Sequence, residues 1–349
     1  MPSKLQRIYD DHGDEIDSLV ADFTRALDKM LSDAARAVST EIMKELTIED
    51  GIISLTTRNQ RLLNSIQDRL SKALDSVGYQ DLLDNYTDGF NGQFVWFDKV
   101  LQTINEDLIY PLAPVTFTKG QMAQFDASKM SARDLIEGAT IRAAGRVRQQ
   151  ALFGVGGMNS RELTRVISET YGSSLGESQN LAETSISTFY RTVTDQGFRI
   201  IEEDLPGFEI RYNYEGPLDK LTRPFCTKLE RQSRAGKTWT RAEINRMSNG
   251  QIPNVFTTAG GYRCRHQWVI STQDLAAEQR KKGAPSTQAS RRAPTRDEVQ
   301  QEVRARQAVH QRRARKTLGQ SHPVEQIRAI KADAVERLGK ALKERKQNV

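Results

Sequence analysis

Thiol and imidazole side chains are scarce in this sequence, which has 2 cysteines and 4 histidines among 349 residues. Two thiols cannot build a disulfide framework, and four histidines leave few candidates for a general base. No run approaches the roughly 18 apolar residues that a membrane-spanning helix needs. The opening stretch, MPSKLQRIYDDHGDE, lacks the apolar segment of a secretory signal. We therefore expect synthesis in a cytoplasm and no membrane partner.

Motifs of several common enzyme classes are missing as well. The sequence contains no H-E-x-x-H, no G-x-x-x-x-G-K-[ST] and no close Glu-x-Glu pair. DNYTDG, which begins at Asp84, is similar to the start of a calcium loop, but Tyr86 and Val95 stand where oxygen ligands belong. The glycines of LFGVGGMNSRE predict a turn rather than a phosphate loop, because no strand pattern precedes them. We expect no enzymatic activity.

Apolar residues recur in steps of three and four over most of the first 150 residues, which predicts long amphipathic helices. The pattern places these helices over residues 4–46, over 56–77, around 90–108 and from about Ser131 onward. A hydrophobic fraction of 37% and a mean hydropathy of −0.61 agree with polar outer faces. Such helices pack on one another or, alternatively, offer a docking surface to a partner.

The pattern changes after residue 150. A capping box at Asn159 and Glu162 starts the next helix, and a further helix spans about residues 181–203. FEIRYNYEG alternates and is rich in β-forming residues, HQWVIS is a second strand candidate, and RAEINRM between them predicts a short helix. We therefore predict an α+β, mostly helical protein. Its three parts are long helices over residues 1–150, a small α+β module over 151–277, and a basic linker with a helical tail over 278–349.

Positive charge is concentrated in the last part of the chain. The net charge is +6, but residues 278–349 hold 19 basic and 8 acidic side chains, whereas residues 1–277 have a net charge of −5. Basic side chains that neutralise phosphates release counterions, so this tail suits sequence-independent DNA binding; a solvated charged face is the alternative. The candidate DNA-binding residues are Arg291, Arg292, Arg296, Arg304, Arg306, Arg312, Arg313, Arg315 and Lys316.

Both cysteines and one histidine fall in two short segments, GPLDKLTRPFC and AGGYRCRHQW. Cys226, Cys264 and His266, which we call the Cys/His group, supply three of the four ligands that a structural zinc site needs, and Asp219 is a candidate fourth ligand. Two alternatives stay open on spacing alone. The thiols are buried apolar groups beside a locally hydrogen-bonded histidine, or they form a Cys226–Cys264 disulfide.

Three segments of this region, LAETSISTFYRT, YNYEGPLDKLTRPFC and TTAGGYRCRHQW, together resemble the phage Mu F-like minor head proteins, also called head morphogenesis proteins. The residues that match the motifs of that family are Asp219, Thr222, Arg223 and Cys226 in a D-x-x-T-R segment, and Cys264, Arg265 and His266 in a C-R-H segment. The resemblance covers residues 160–270, and the H-P-N lead-in of many relatives is missing. A His is frequent where this chain has Cys226, an exchange that shared zinc ligation would tolerate because both side chains donate to zinc.

The resemblance implies a structural, non-enzymatic component of a tailed-bacteriophage head, assembled in the host cytoplasm and carried in the virion. The partners it implies are the portal protein and the packaged double-stranded DNA, with the major capsid or scaffold protein as further candidates. The implied roles are head assembly, DNA packaging and DNA ejection, and the implied cofactor is zinc. Two other functions stay open: an effector enzyme or toxin carried by the virion, and a stand-alone nonspecific DNA-binding protein.

Overall fold

A computed structural model of the protein describes residues 4–284. Residues 4–284 all lie in one compact unit. Over the described residues the fold is mostly helical with two small sheets, which confirms the predicted α+β, mostly helical class. The helical tail predicted beyond residue 284 lies outside the described residues.

Seven α-helices fill most of residues 4–204, a region that we call the helical body. They are α1 Lys4–Glu45, α2 Thr57–Asn64, α3 Ile66–Ser76, α4 Tyr79–Asp88, α5 Gly92–Asp107, α6 Lys119–Gly154 and α7 Ser160–Asp204. An antiparallel hairpin of β1 Ile48–Glu49 and β2 Ile52–Ile53 joins α1 to α2. Helix α7 packs against both α1 and α6, so these three long helices form the frame on which the shorter helices lie.

The apolar stripes that predicted the helices form the core of this body. Leu27 and Ile42 of α1, Leu70 of α3 and Ile136 of α6 are all fully buried. An aromatic cluster fills the centre, with ring centroids 5.0 to 6.2 Å apart, and consists of Phe90, Phe94, Phe97, Phe117, Phe125 and Phe189. Edge-to-face and tilted pairs of this kind add to the stabilisation from area burial alone.

Three helix boundaries differ from the sequence prediction. The helix expected over residues 56–77 is two helices, because α2 ends and α3 begins at Ser65. Helix α6 starts well before Ser131, since Thr118 and Gln121 form a capping box that the apolar pattern did not include. The helix expected from about residue 181 is only the second half of α7, whose start the predicted capping box of Asn159 and Glu162 sets.

A small layer that we call the sheet module follows over residues 205–282. Its three-stranded antiparallel sheet has β3 Arg211–Glu215 in the centre, flanked by β4 Trp239–Thr240 and β5 Gln267–Ile270. Both predicted strands and the short predicted helix are present. The helices of the module are α8 Pro224–Arg234, α9 Arg241–Asn245, α10 Val255–Thr258 and α11 Thr272–Lys282.

The helical body and the sheet module are continuous. The boundaries expected at residues 150 and 277 fall inside α6 and α11, and both helices lie in the same compact unit. Helix α7 packs in both the helical body and the sheet module. Its second half contacts α10, and its Asp195 and Glu202 form ion pairs with Arg241 of α9. None of the helices described in residues 4–284 is both long and apolar enough to cross a membrane.

Candidate metal centre

Cys226 is about forty residues before Cys264 and His266 in sequence, but the three side chains meet in the interior of the sheet module. Cys226 lies in the first turn of α8, Cys264 in the loop after α10, and His266 immediately before β5. The two Sγ atoms are 3.7 Å apart, and Cys264 Sγ is 3.8 Å from His266 Nδ1. Two sulfurs bound tetrahedrally to one zinc ion would be separated by roughly the same distance, about 3.8 Å. The Cys/His group could therefore hold a metal ion.

Local backbone geometry explains how these side chains come together. Pro224 opens α8 at a position where its missing N–H costs nothing, and this fixes where Cys226 stands. The loop from Ala259 to Cys264 turns sharply, with positive φ at Ala259, Gly261 and Arg263. Gly260 lies against the sulfurs, since a Cβ there would be 2.1 Å from Cys226 Sγ and 3.0 Å from Cys264 Sγ. No side chain fits at residue 260 without displacing the thiols.

The Cys264 sulfur is in an environment that favours the thiolate. The backbone N–H groups of Gly260 and His266 donate to Cys264 Sγ at 3.1 and 3.4 Å. The hydrogen bond with the Cys226 thiol lowers the pKa of Cys264, and the neighbouring His266 and Arg191 lower it further. Since the thiolate is the form that binds metals, the site is prepared for ligation at this sulfur.

Arg191 is a functional residue that the sequence analysis did not single out, although it stands in the segment LAETSISTFYRT. It lies on α7, is only 3% exposed, and donates to the carbonyl oxygens of His266 at 2.8 Å and Thr257 at 3.5 Å, and to that of Cys264. The acceptors that the structure describes for Arg191 are thus carbonyl oxygens. Its guanidinium brings a buried positive charge to the Cys/His group and ties the loop to the helical body.

Tyr214 on β3 is the second residue that the sequence analysis missed. Its ring stacks on His266 with centroids 5.3 Å apart and planes 8° from parallel. Gly216 closes the other approach to the imidazole, because a Cβ there would be 2.5 Å from Cδ2 of His266. The alternation of YNYEG in the sequence places Tyr214 on a buried face, but only the pairing of β3 with β5 brings it beside His266.

The prediction that Asp219 is the fourth ligand does not fit this geometry. Both carboxylate oxygens of Asp219 accept from Arg265, at 2.7 and 2.6 Å, at the exposed rim of the module. The hydrogen bond from Arg265 lowers the pKa of Asp219, and the Leu221 N–H and the Thr222 hydroxyl add to the effect. An oxygen already held by a guanidinium outside the buried group is not in a position to ligate.

The other motif residues bind one another across the module. The Thr222 hydroxyl contacts Asp219 at 3.1 Å and donates to the Pro217 carbonyl at 2.9 Å. Arg223 donates to the carbonyl of Gly260 at 3.3 Å and to that of Tyr262 at 2.5 Å. The D-x-x-T-R and C-R-H segments are therefore joined through their side chains. The two cysteines are not disulfide-bonded, so the alternative of a disulfide is not the state described.

The nine candidate DNA-binding residues between Arg291 and Lys316 lie outside the described residues, and their role stays a prediction.

We compared the whole chain with protein-family models, with curated proteins and with solved structures. No family model, curated protein or solved structure matches it.

Proposed function

We propose that this protein is a structural minor head protein of a tailed bacteriophage, associated with the portal vertex and active in head assembly and in DNA packaging or ejection. The observation that carries the proposal is that side-chain contacts join the sequence segments in which the resemblance lies. Asp219 pairs with Arg265, and Arg223 binds the loop that leads to Cys264. Residues that match as separate motifs in sequence thus act together as one structural unit.

We further propose zinc as the ion of the Cys/His group, in a structural rather than catalytic role. Two sulfurs and one imidazole nitrogen are the donors that zinc prefers. Cys226, Cys264 and His266 are 1%, 3% and 2% exposed, so no substrate reaches them from solvent. An ion in a closed site of this kind would crosslink α8, the loop after α10 and the start of β5.

Elemental analysis of the purified full-length chain tests the metal assignment. We expect about one zinc per chain, lost in Cys226→Ser because the substitution removes one of its two thiolate donors. Thr227→Ser, the neighbouring substitution of matched size, should keep the zinc. Metal-free wild-type protein purified without chelator would contradict the assignment.

The helical body supplies the surface that we assign to portal binding. Ion pairs such as Arg142–Glu177 and Arg69–Glu45 lie along its outer faces, as suits a reversible protein contact. Quantitative mass spectrometry of purified particles tests the location. We expect far fewer copies than of the major capsid protein, with the portal recovered in the same crosslinks. Absence from purified particles would refute the virion assignment.

We assign the basic residues from Arg291 to Lys316 to contact with packaged DNA, through phosphates alone. Reversing the charges of Arg312, Arg313, Arg315 and Lys316 to glutamate should weaken binding to any duplex. It should also reduce the slope of log affinity against log salt by about 0.9 for each phosphate that the tail no longer neutralises. Reversal of Arg161 and Arg165 on α7 is the matched control. An unchanged slope in the tail variant would remove DNA from the proposal while leaving the portal role intact.

A further inference from the structure

The Cys/His group provides three donors, whereas a closed structural zinc site has four. Asp219 is engaged elsewhere, so the fourth donor has to come from another side chain at the same place. The atom that the structure puts there is the phenol oxygen of Tyr214. Its Oη is 3.4 Å from Cys226 Sγ and 3.9 Å from Cys264 Sγ, and Tyr214 is fully buried.

These distances have the geometry of a tetrahedron. Oη of Tyr214 and the two sulfurs form a triangle with sides of 3.4, 3.9 and 3.7 Å, and Nδ1 of His266 lies 3.8 Å from Cys264 Sγ. Donor atoms 2.0 to 2.3 Å from one tetrahedral zinc ion would be roughly 3.4 to 3.8 Å from each other. Four of the six edges between the donors are thus near the required length.

The position of Tyr214 is also held firmly by its surroundings. Its ring is stacked on His266 and tilted against Trp268, with centroids 5.3 and 4.7 Å away. Its backbone is part of the central strand β3, paired with Trp268 of β5. A donor fixed on a strand between two rings cannot swing away, which is the rigidity that a ligand of a structural ion needs.

Charge balance gives an independent argument for the same oxygen. Two thiolates neutralise the charge of a divalent ion, which leaves the buried guanidinium of Arg191 without a counter-charge among the acceptors described above. An unpaired buried charge is costly. A tyrosinate at residue 214 supplies the missing negative charge, so that three anionic donors, one divalent ion and Arg191 are together neutral.

On these grounds, and resting on the proposed zinc centre, we propose that Tyr214 is the fourth ligand and that the complete site is Cys226, Cys264, His266 and Tyr214. Ligation forms a bond from Oη to the ion and releases the phenol proton to solvent. Without the ion, the same hydroxyl donates its hydrogen to Cys226 Sγ.

The test is a zinc titration of the metal-free full-length protein, followed by the near-ultraviolet difference spectrum of tyrosinate. We expect a tyrosinate band that grows with added zinc and saturates at about one ion per chain. Tyr214→Phe keeps the ring and removes only the oxygen. It should lose the band and bind zinc at least about tenfold more weakly. Tyr212→Phe is the matched control, because Tyr212 lies on the same face of β3 but bonds to Glu202, and it should keep the band.

The possible outcomes separate this inference from the metal assignment on which it rests. Zinc binding by wild-type protein without a tyrosinate band would overturn the role of Tyr214 and leave the three-residue zinc site standing. A band that persists in Tyr214→Phe would overturn it as well. Wild-type protein that binds no zinc would overturn both proposals. Should Tyr214→Phe fail to fold, the presence or absence of the band in wild-type protein decides the question.

Discussion

The helical body and the sheet module are stabilised in different ways. In the helical body, apolar residues repeat along each helix, and a buried side chain such as Leu27 has many neighbours of the same kind. In the sheet module, a few polar groups from distant parts of the sequence meet at single points, as Arg191 does with Cys264 and His266. The body therefore relies mainly on repeated apolar contacts, whereas the module adds to its share of the apolar core a few polar contacts that no neighbour replaces.

This difference predicts how each region responds to substitution. Loss of one side chain from a repeated apolar stripe leaves the rest of the stripe packed. Loss of a buried polar anchor leaves every partner of that anchor unpaired, and unpaired buried groups are costly. We expect the sheet module to be the more sensitive of the two, and the following experiments test that comparison in order of decreasing effect.

The largest effect is expected for Arg191→Met. The substitution removes a buried guanidinium and leaves carbonyl oxygens of Thr257, Cys264 and His266 without their donor, which should lower the free energy of unfolding by about 3 kcal/mol or more. Arg165→Met on the same helix is the control. Arg165 makes an exposed pair with Glu169, so its loss should cost no more than about 0.5 kcal/mol. Urea unfolding measures both, and equal midpoints would refute the anchoring role.

Two glycines allow a direct comparison of the regions by the same substitution. Gly260→Ala puts a methyl group against both sulfurs, and Gly197→Ala puts one 2.0 Å from the Phe97 ring of the helical body. Overpacking of this kind should cost about 1–3 kcal/mol in each case. Only Gly260→Ala should also weaken zinc binding, measured by competition with a chelator. An equal loss of zinc affinity in both variants would contradict the local character of the site.

Gly176→Ala is the control for both overpacked variants. Gly176 lies within α7 with no atom near enough to contact a new Cβ. Alanine costs less backbone entropy in a helix than glycine, so this variant should be more stable than wild type by about 0.5–1 kcal/mol. A destabilised Gly176→Ala would indicate that the helix does not tolerate substitution even at an open position.

The pH dependence of stability should show the effect of a half-buried carboxyl, that of Glu215, at the end of β3. Burial raises the pKa of Glu215 to about 7, and the nearby Glu230 contributes to the rise. A raised pKa means that the folded state holds the proton more tightly, so this stabilisation is complete at low pH and is lost as pH rises toward 7. Glu215→Gln should remove a decline on the order of 1 kcal/mol per pH unit between about pH 5 and 7. Thermal unfolding across that range measures the effect, and parallel curves for both proteins would exclude it.

The smallest effect is expected for Asp219→Ala at the rim of the module. The substitution breaks the ion pair with Arg265 and the hydrogen bond from the Leu221 N–H, both of which are exposed to solvent. We expect a slight fall in the unfolding midpoint and no change in zinc content. A loss of zinc would restore Asp219 as a ligand and argue against Tyr214.

The sequence predicted the helical body better than the sheet module because helical periodicity is a local property. Apolar spacing located α1, and the Asn159 and Glu162 pair located the start of α7. The prediction divided α7 into two helices, because small polar residues conceal the apolar period between its two halves. It failed also at α8, whose polar residues give little sign of a helix.

The candidate site was predicted in part for the same reason. Cys226, Cys264 and His266 could be found because these residue types are rare, so their grouping is conspicuous without a structure. Tyr214 and Arg191 could not be found in this way, since tyrosine and arginine are common throughout the chain. Asp219 was assigned wrongly because its place in the motif does not reveal that it faces Arg265.

The sequence alone determined the fold class, the long helices, the concentration of positive charge beyond residue 277 and the identity of the three scarce donors. These properties depend on composition and on spacing along the chain. The tertiary structure decided which side chains surround those donors: the pairing of β3 with β5 put Tyr214 beside His266, and the packing of α7 put the Arg191 charge beside Cys264. Contacts between residues so far apart follow from strand register and helix packing, which the order of residues does not show.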